Sequence, residues 1–151
     1  MMTAAIRKLL DAADHPVHVE SDPDQDWLAL HTAVAALKVE FEHIAGREYK
    51  LKDNAQDATF YADLASEKPG PKPNWIDTVF AVRFSNFGRV CTTWSHCETE
   101  HLPDEIVAEL LLVARKAGFQ FIPPSALDAV YSGRNPGFAG STWGIRFFDW
   151  V

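Results

Sequence analysis

The chain has 151 residues, of which 47% are hydrophobic and 23% are charged, and its net charge at neutral pH is −7. This composition is typical of a globular protein and excludes an intrinsically disordered chain. Two cysteines do not make a disulfide scaffold, and no apolar run is long enough to span a bilayer. We therefore expect one domain over residues 1–151, cytoplasmic and without a membrane partner.

The N-terminal third predicts two helices. The first covers residues 3–13 and stops before Pro16, and residues 17–20 are expected to form a short extended piece. The second runs from about Asp24 to Ala45, because large apolar residues recur there in steps of three and four. This stripe consists of Trp27, Leu30, Val34, Leu37, Phe41 and Ile44. An aspartate before Trp27 can cap the second helix, and Gly46 can end it.

The middle of the chain predicts β-structure. Alternating side chains indicate strands over residues 58–64 and 76–84, and a return strand follows over 89–95. Asn86–Gly88 is typical of a hairpin loop, since glycine accepts a positive φ. The proline-rich stretch 67–74 predicts a long loop between two strands.

The C-terminal third predicts alternating helices and strands. A helix is expected over 103–117, with acids in its first turn and bases in its last. A strand over 119–122, a short helix from Ser125 to Gly133 and an aromatic-rich strand over 141–151 follow. The whole order predicts an α+β fold, in which a mainly antiparallel β-sheet packs against two or three long helices.

The negative charge is concentrated near the N-terminus. Residues 1–37 hold six acids and two bases, and residues 9–37 contain no Lys or Arg. An acidic surface repels nucleic-acid phosphates and suits a basic protein partner. We expect the contact surface to include the acids of residues 11–26 and an aromatic residue of the glycine-rich 133–144 loop. These candidate partner-binding residues are Asp11, Asp14, Glu20, Asp22, Asp24, Asp26 and Phe138.

One cluster brings together residue types that ligate metals. Cys91, His96, Cys97 and His101 are the four candidates, but they show neither a C-x-x-C nor an H-x-x-x-H pair. Cys91 is expected to pack in the core, as free cysteines usually do. We therefore predict no metal and no cofactor, and we find no hydrolase, kinase or nucleotide-binding motif.

The leading hypothesis is a non-enzymatic protein-binding domain. In its sharpest form it is a bacterial immunity protein, which would inhibit a cognate toxin by covering a basic active site with acids and aromatic anchors. The alternative is a small-molecule-binding domain or enzyme with a pocket on the sheet, using Arg83, Arg146 and His96. In the commoner case Arg83 and Arg146 would instead pair with Asp63, Asp77 or Asp149. Self-association through the C-terminal aromatic strand is a further alternative.

Overall fold

The computed structural model describes residues 1–53 and 58–149. The α-helices in these residues are α1 (Ala4–Ala13), α2 (Trp27–Ala45), α3 (Asp104–Lys116), α4 (Pro124–Leu127) and α5 (Trp143–Phe148), and a 3-10 helix covers Pro136–Phe138. The strands are β1 (Lys50–Lys52), β2 (Phe60–Pro69), β3 (Ile76–Ser85), β4 (Val90–Trp94) and β5 (Gln120–Phe121). The predicted α+β class is confirmed.

The described strands form one sheet in the order β1-β2-β3-β4-β5. Neighbouring strands are antiparallel, except that β4 and β5 run parallel. Helix α3 connects β4 to β5, because a parallel pair needs a crossover longer than a turn. The centre of the sheet is the long hairpin of β2 and β3.

One core lies between the sheet and helices α2 and α3. Helix α2 buries Leu30, Val34, Leu37 and Phe41. Leu110 and Ala114 of α3 are buried in the same core, and the sheet adds Leu64, Val82, Phe84 and Cys91. Trp27 is 43% exposed, so the apolar stripe enters the core only from Leu30 onwards.

A second core lies on the opposite face of the sheet. Val90 and Cys91 are neighbours on β4 and so point to opposite faces, and Val90 belongs to this second core. Helices α1, α4 and α5 contribute buried side chains to it, namely Leu10, Leu127, Trp143, Phe147 and Phe148. The rings of Trp143 and Phe147 stack with centroids 5.9 Å apart.

The caps and ends of the long helices follow the sequence signals. Asp26 accepts a hydrogen bond from the backbone N–H of Ala29 at the start of α2, and Gly46 ends this helix with a φ of 64°. Gly88 has a φ of 61° in the β3–β4 hairpin, as its position there requires. Helix α2 begins three residues later than expected. Among residues 1–53 and 58–149, no helix has both the length and the apolar character needed to cross a membrane.

The loop predicted over residues 67–74 is shorter than expected, because β2 continues to Pro69. Residues 67–69 pair with residues 76–78 of β3, after a register shift between Ser66 and Glu67. Proline is tolerated at the end of a strand, where its missing N–H leaves no central ladder bond unmade. The connection between the two strands is therefore confined to residues 70–75.

The strand predicted over 141–151 is wrong, since Trp143–Phe148 form α5. The Thr142 side chain accepts a hydrogen bond from the N–H of Ile145 and caps the helix. Aromatic content favours strands in general. Here the four-residue spacing of Trp143 and Phe147 puts both rings on one helical face, which the second core buries. Self-association through a C-terminal strand loses its basis in residues 141–149, and residues 150–151 lie outside the described residues.

Smaller differences concern element ends. β1 is absent from the sequence-based prediction, β2 begins at Phe60, and β5 covers only two residues of the predicted 119–122 strand. Helix α4 ends at Leu127 rather than near Gly133. Residues 17–20 form no regular element. These short segments take their shape from tertiary contacts, which propensity does not report.

Leu30→Ala should lower the free energy of unfolding by roughly 2–5 kcal/mol, because a fully buried leucine leaves a cavity that the core only partly closes. Urea denaturation followed by tryptophan fluorescence measures this loss. Leu28→Ala is the matched control, since it makes the same change in the same helix at a position that is 77% exposed. The control should stay within about 0.5 kcal/mol, and equal losses would contradict the buried face assigned to α2.

Tyr49→Phe should leave the protein as stable or make it more stable at neutral pH. Tyr49 is fully buried, and its hydroxyl finds no hydrogen-bond partner among the described residues, so removing the hydroxyl removes an uncompensated desolvation cost. Burial raises the pKa of Tyr49 from 10.0 to about 12, and this effect outweighs the lowering of the pKa by the positive charge of Arg47. The unfolded chain therefore loses this proton at lower pH than the folded one, and stability present below pH 10 should fall as the pH rises towards 12. Urea unfolding at a series of alkaline pH values should show that the free energy of unfolding falls less steeply with pH for Tyr49→Phe than for the wild type. Parallel curves of stability against pH would show that Tyr49 is not the source of the fall.

Candidate functional site

The candidate site is the irregular stretch between α1 and α2. We name residues 15–26 the acidic segment, because they contain Glu20, Asp22, Asp24 and Asp26 and no Lys or Arg. The described structure assigns no helix or strand within it. A segment of this kind presents a defined surface only if other parts of the fold hold its backbone.

A buried ion pair anchors the start of the acidic segment. Nε of Arg146 on α5 donates to Oδ1 of Asp14 at 2.7 Å, and both side chains are fully buried. The other carboxylate oxygen, Oδ2, accepts from the Tyr131 hydroxyl at 2.5 Å and from the Arg134 N–H at 2.9 Å. Burial, and secondly this bond to Asp14, raise the pKa of Tyr131. A buried carboxylate needs such donors to offset its lost hydration.

The remaining donors of Arg146 reach the backbone of the acidic segment. Nη1 donates to the carbonyl of Val19 at 3.0 Å, and Nη2 lies within 3.1 Å of the carbonyl oxygens of His15 and His18. Aromatic rings surround the guanidinium, with the centroids of Phe87 and Phe138 at 4.0 and 4.7 Å. One side chain thus links the C-terminal helix to three carbonyls of the segment.

Two asparagines complete the attachment of this backbone. Nδ2 of Asn135 donates to the carbonyls of His15 and His18, and Nδ2 of Asn86 donates to the carbonyl of Glu20 at 3.0 Å. The side chain of Gln25 returns a bond to the carbonyl of Asn86. Residues 15–20 of the acidic segment are therefore held through their own carbonyl groups, and Gln25 is held through its side chain.

Several side chains of the acidic segment point outward. Val17 and Val19 are 72% and 50% exposed, and Glu20 and Asp24 are exposed as well. In the described part of the chain, no Lys, Arg or His nitrogen lies within 4 Å of the four carboxylates. Uncompensated carboxylates on a fixed backbone attract cationic groups.

The predicted contact residues do not all lie on this surface. Asp11 lies on α1 and pairs with Arg7 at 3.0 Å. Asp14 is only 4% exposed, and Phe138 packs beside the Arg146 guanidinium at 9% exposure. Because the side chains of Asp14 and Phe138 are buried, the contact surface proposed below does not include them.

The sequence-based prediction missed the attachments that matter most. The sequence predicts a strand at Arg146, and it does not identify Asn86 or Asn135 as site residues. One available signal is the spacing of Leu10 and Asp14, which puts the aspartate on the buried face of α1. An acid on an apolar face indicates a buried partner, although it does not identify Arg146.

The alternative pocket residues each have internal partners. Arg83 donates to both carboxylate oxygens of Asp63 at 2.8 and 2.9 Å, which is one of the pairings expected from the sequence. Arg146 pairs with Asp14 instead of the expected acids. Nδ1 of His96 accepts the N–H of Thr78 at 3.2 Å. The two arginines are therefore already neutralised by carboxylates of this chain.

The predicted cysteine–histidine cluster does not converge. Across residues 1–53 and 58–149, no three His, Cys, Asp or Glu side chains come close enough to share a metal ion. Cys91 is fully buried in the first core, as expected, and burial raises the pKa of its thiol to about 12. Sγ of Cys97 lies 3.6 Å from the Thr99 hydroxyl, and this hydrogen bond lowers the pKa of Cys97.

Comparisons with known proteins identify no relative of this chain. No family model, curated protein or solved structure matches this chain. The chemistry of its own surfaces is therefore the basis for inference. Four carboxylates without a cationic partner, in or directly after a held stretch of backbone, are suited to recognising a basic surface.

Arg146→Met should lower the free energy of unfolding by about 3–5 kcal/mol, because it leaves the Asp14 carboxylate buried without its cation. Urea denaturation gives this value. Lys38→Met is the matched control, since it breaks the partly exposed Lys38–Glu42 pair and should cost less than about 1 kcal/mol. Hydrogen exchange of residues 15–20 should also accelerate in Arg146→Met. Unchanged exchange there would show that Arg146 does not hold the acidic segment.

Proposed function

We propose that this chain is a non-enzymatic binding protein that takes a basic protein partner on the acidic segment. In its most concrete form it is a bacterial immunity protein, which inhibits a cognate toxin by covering a basic active site. A single observation supports the proposal. The carbonyls of residues 15, 18, 19 and 20 are bonded from within the fold by Arg146, Asn135 and Asn86, while the carboxylates of the segment stay in water.

Holding the backbone in advance favours tight binding. Fixing a free residue costs about 1–2 kcal/mol of backbone entropy, and a flexible loop would incur that cost when it meets its partner. In this chain folding has already ordered residues 15–20, so more of the contact energy appears as affinity. Rigid presentation is what an inhibitor of a preformed active site requires.

The surface around the carboxylates also offers apolar contacts. Val17 and Val19 alternate with His18 and Glu20 along the segment, and Leu28 at the start of α2 is 77% exposed. Protein interfaces commonly join a few desolvated apolar anchors to a charged rim. The exposed valines and Leu28 supply such anchors, and the acids supply the rim.

The sign of the charge selects the class of partner. Four carboxylates within residues 20–26 steer a cationic surface towards the segment and repel nucleic-acid phosphates. A basic active site, such as one that binds phosphate groups, is complementary to this pattern. The expected complex is therefore with a basic protein and weakens as salt concentration rises.

Changing Asp22, Asp24 and Asp26 together to asparagine should weaken this complex by about tenfold or more. Asparagine keeps the acceptor that caps α2 at residue 26 and the turn acceptor at residue 22, so the fold should persist. The experiment compares the immobilised wild type with the triple variant in pull-downs from the source cell. Mass spectrometry identifies the retained proteins, and binding is then measured with the purified partner.

The matched control removes three negative charges elsewhere. Glu40, Glu98 and Glu109 are exposed, and changing them to glutamine gives the same net charge without altering the acidic segment. The control variant should retain the partner as the wild type does. The proposal fails if the two variants lose the partner equally. It also fails if every basic protein retained by the wild type is retained equally by the variant changed at Asp22, Asp24 and Asp26.

A further inference from the structure

The tip of the β2–β3 hairpin forms a second surface, far different in charge from the acidic segment. A groove of about 790 Å³ opens between residues 67–76 on one side and Glu48 and Lys50 on the other. We name it the hairpin groove. Its walls include the connection 70–75 and the last residues of β2.

Trp75 is held in a fixed position in this groove. Its N–H donates to the carbonyl of Lys72 at 3.0 Å, and its carbonyl accepts from the N–H of Gly70 at 2.7 Å. The indole lies so close over Gly70 that a methyl group there would overlap its Cδ1 atom. Nζ of Lys72 lies 5.2 Å from the ring centroid. Trp75 nevertheless stays 52% exposed, and the neighbouring Ile76 is 54% exposed.

The hairpin groove is positively charged in a negatively charged protein. The residues that line the groove include three lysines and two glutamates, Lys50, Lys68, Lys72, Glu48 and Glu67, for a net charge of +1. One of the glutamates, Glu67, is already paired with Lys50 at 3.2 Å and with Lys52. The complementary ligand for this groove is therefore anionic.

The sheet edge beside the groove suits an extended chain. β1 pairs only with residues 63–65 of β2, whereas β2 continues to Pro69. Within the described residues, no strand continues β1 alongside residues 66–69. Extended peptides bind by lying along such edges, with their side chains in adjacent pockets.

We propose that the hairpin groove binds an extended acidic peptide segment of a protein partner. An aliphatic side chain of the peptide rests on Trp75 and Ile76, and its carboxylates pair with Lys68 and Lys72. The exposed isoleucine and the open sheet edge favour a peptide over a nucleic acid. This site is separate from the acidic segment and does not depend on the function proposed for it.

The probe is a short blocked peptide of alternating glutamate and leucine, added to the ¹⁵N-labelled full chain. Trp75→Ala identifies the indole N–H resonance of Trp75. That resonance and the amides of residues 67–76 should move in a saturable way, and the affinity should fall as salt rises. The same peptide with glutamine in place of glutamate should bind about tenfold more weakly.

Matched variants separate the groove from the rest of the surface. Lys68→Gln combined with Lys72→Gln should weaken peptide binding several-fold, whereas Lys8→Gln combined with Lys116→Gln should not. Gly70→Ala should weaken it as well, because the new methyl group displaces the Trp75 ring while keeping it in the chain. Trp27→Ala removes another exposed tryptophan and should leave binding unchanged.

Three results would overturn the proposal. The first is no movement of the groove resonances at millimolar peptide. The second is equal affinity for the glutamate and glutamine peptides, which would leave no role for the lysines. The third is tighter binding of oligothymidylate than of the peptide, which would identify a nucleic-acid groove. None of these results bears on pull-downs through the acidic segment, so the two proposals can fail separately.

Discussion

The buried pair of Asp14 and Arg146 is the interaction on which the rest of this structure depends. It joins residues 132 positions apart, at the end of α1 and within α5. Removing two charges from water costs several kcal/mol for each ion, and a single contact rarely recovers that cost. Here Tyr131, the Arg134 N–H and three backbone carbonyls give every other side-chain nitrogen and oxygen of the pair a hydrogen-bond partner. The main role of the pair is therefore to fix how the two ends of the described chain pack together, and its net contribution to stability is smaller.

That specification extends to the surface. Because Arg146 uses its remaining donors on the carbonyls of residues 15, 18 and 19, the same side chain that closes the second core also fixes the acidic segment. The hairpin groove shows a similar arrangement, since backbone hydrogen bonds to Gly70 and Lys72 hold Trp75 in place. In both places folding orders the residues that a partner would meet, which lowers the entropic cost of binding.

The sequence predicts what is repetitive and local in this fold. Apolar periodicity identifies α2, the charges at the helix ends identify α3, and glycine identifies the end of α2 and the β3–β4 hairpin. It fails at α5, where aromatic residues favour a strand in isolation and the second core imposes a helix. At Asp14 the spacing from Leu10 indicates burial, but no local pattern identifies an arginine 132 positions along the chain as its partner. The acidity of the candidate site was predictable, but the attachment of its backbone was not.

The two proposed surfaces differ in sign, and this separation has a physical consequence. At physiological salt the Debye length is about 8 Å, so the four carboxylates of the acidic segment and the cations of the hairpin groove each act on what lies directly before them. A uniformly basic partner is drawn to the segment and repelled by the groove, and an acidic peptide experiences the reverse. A partner that carries both a basic and an acidic surface could therefore bind this chain in only one orientation. The distribution of charge, rather than its total of −7, is thus what would set the orientation of any complex this chain forms.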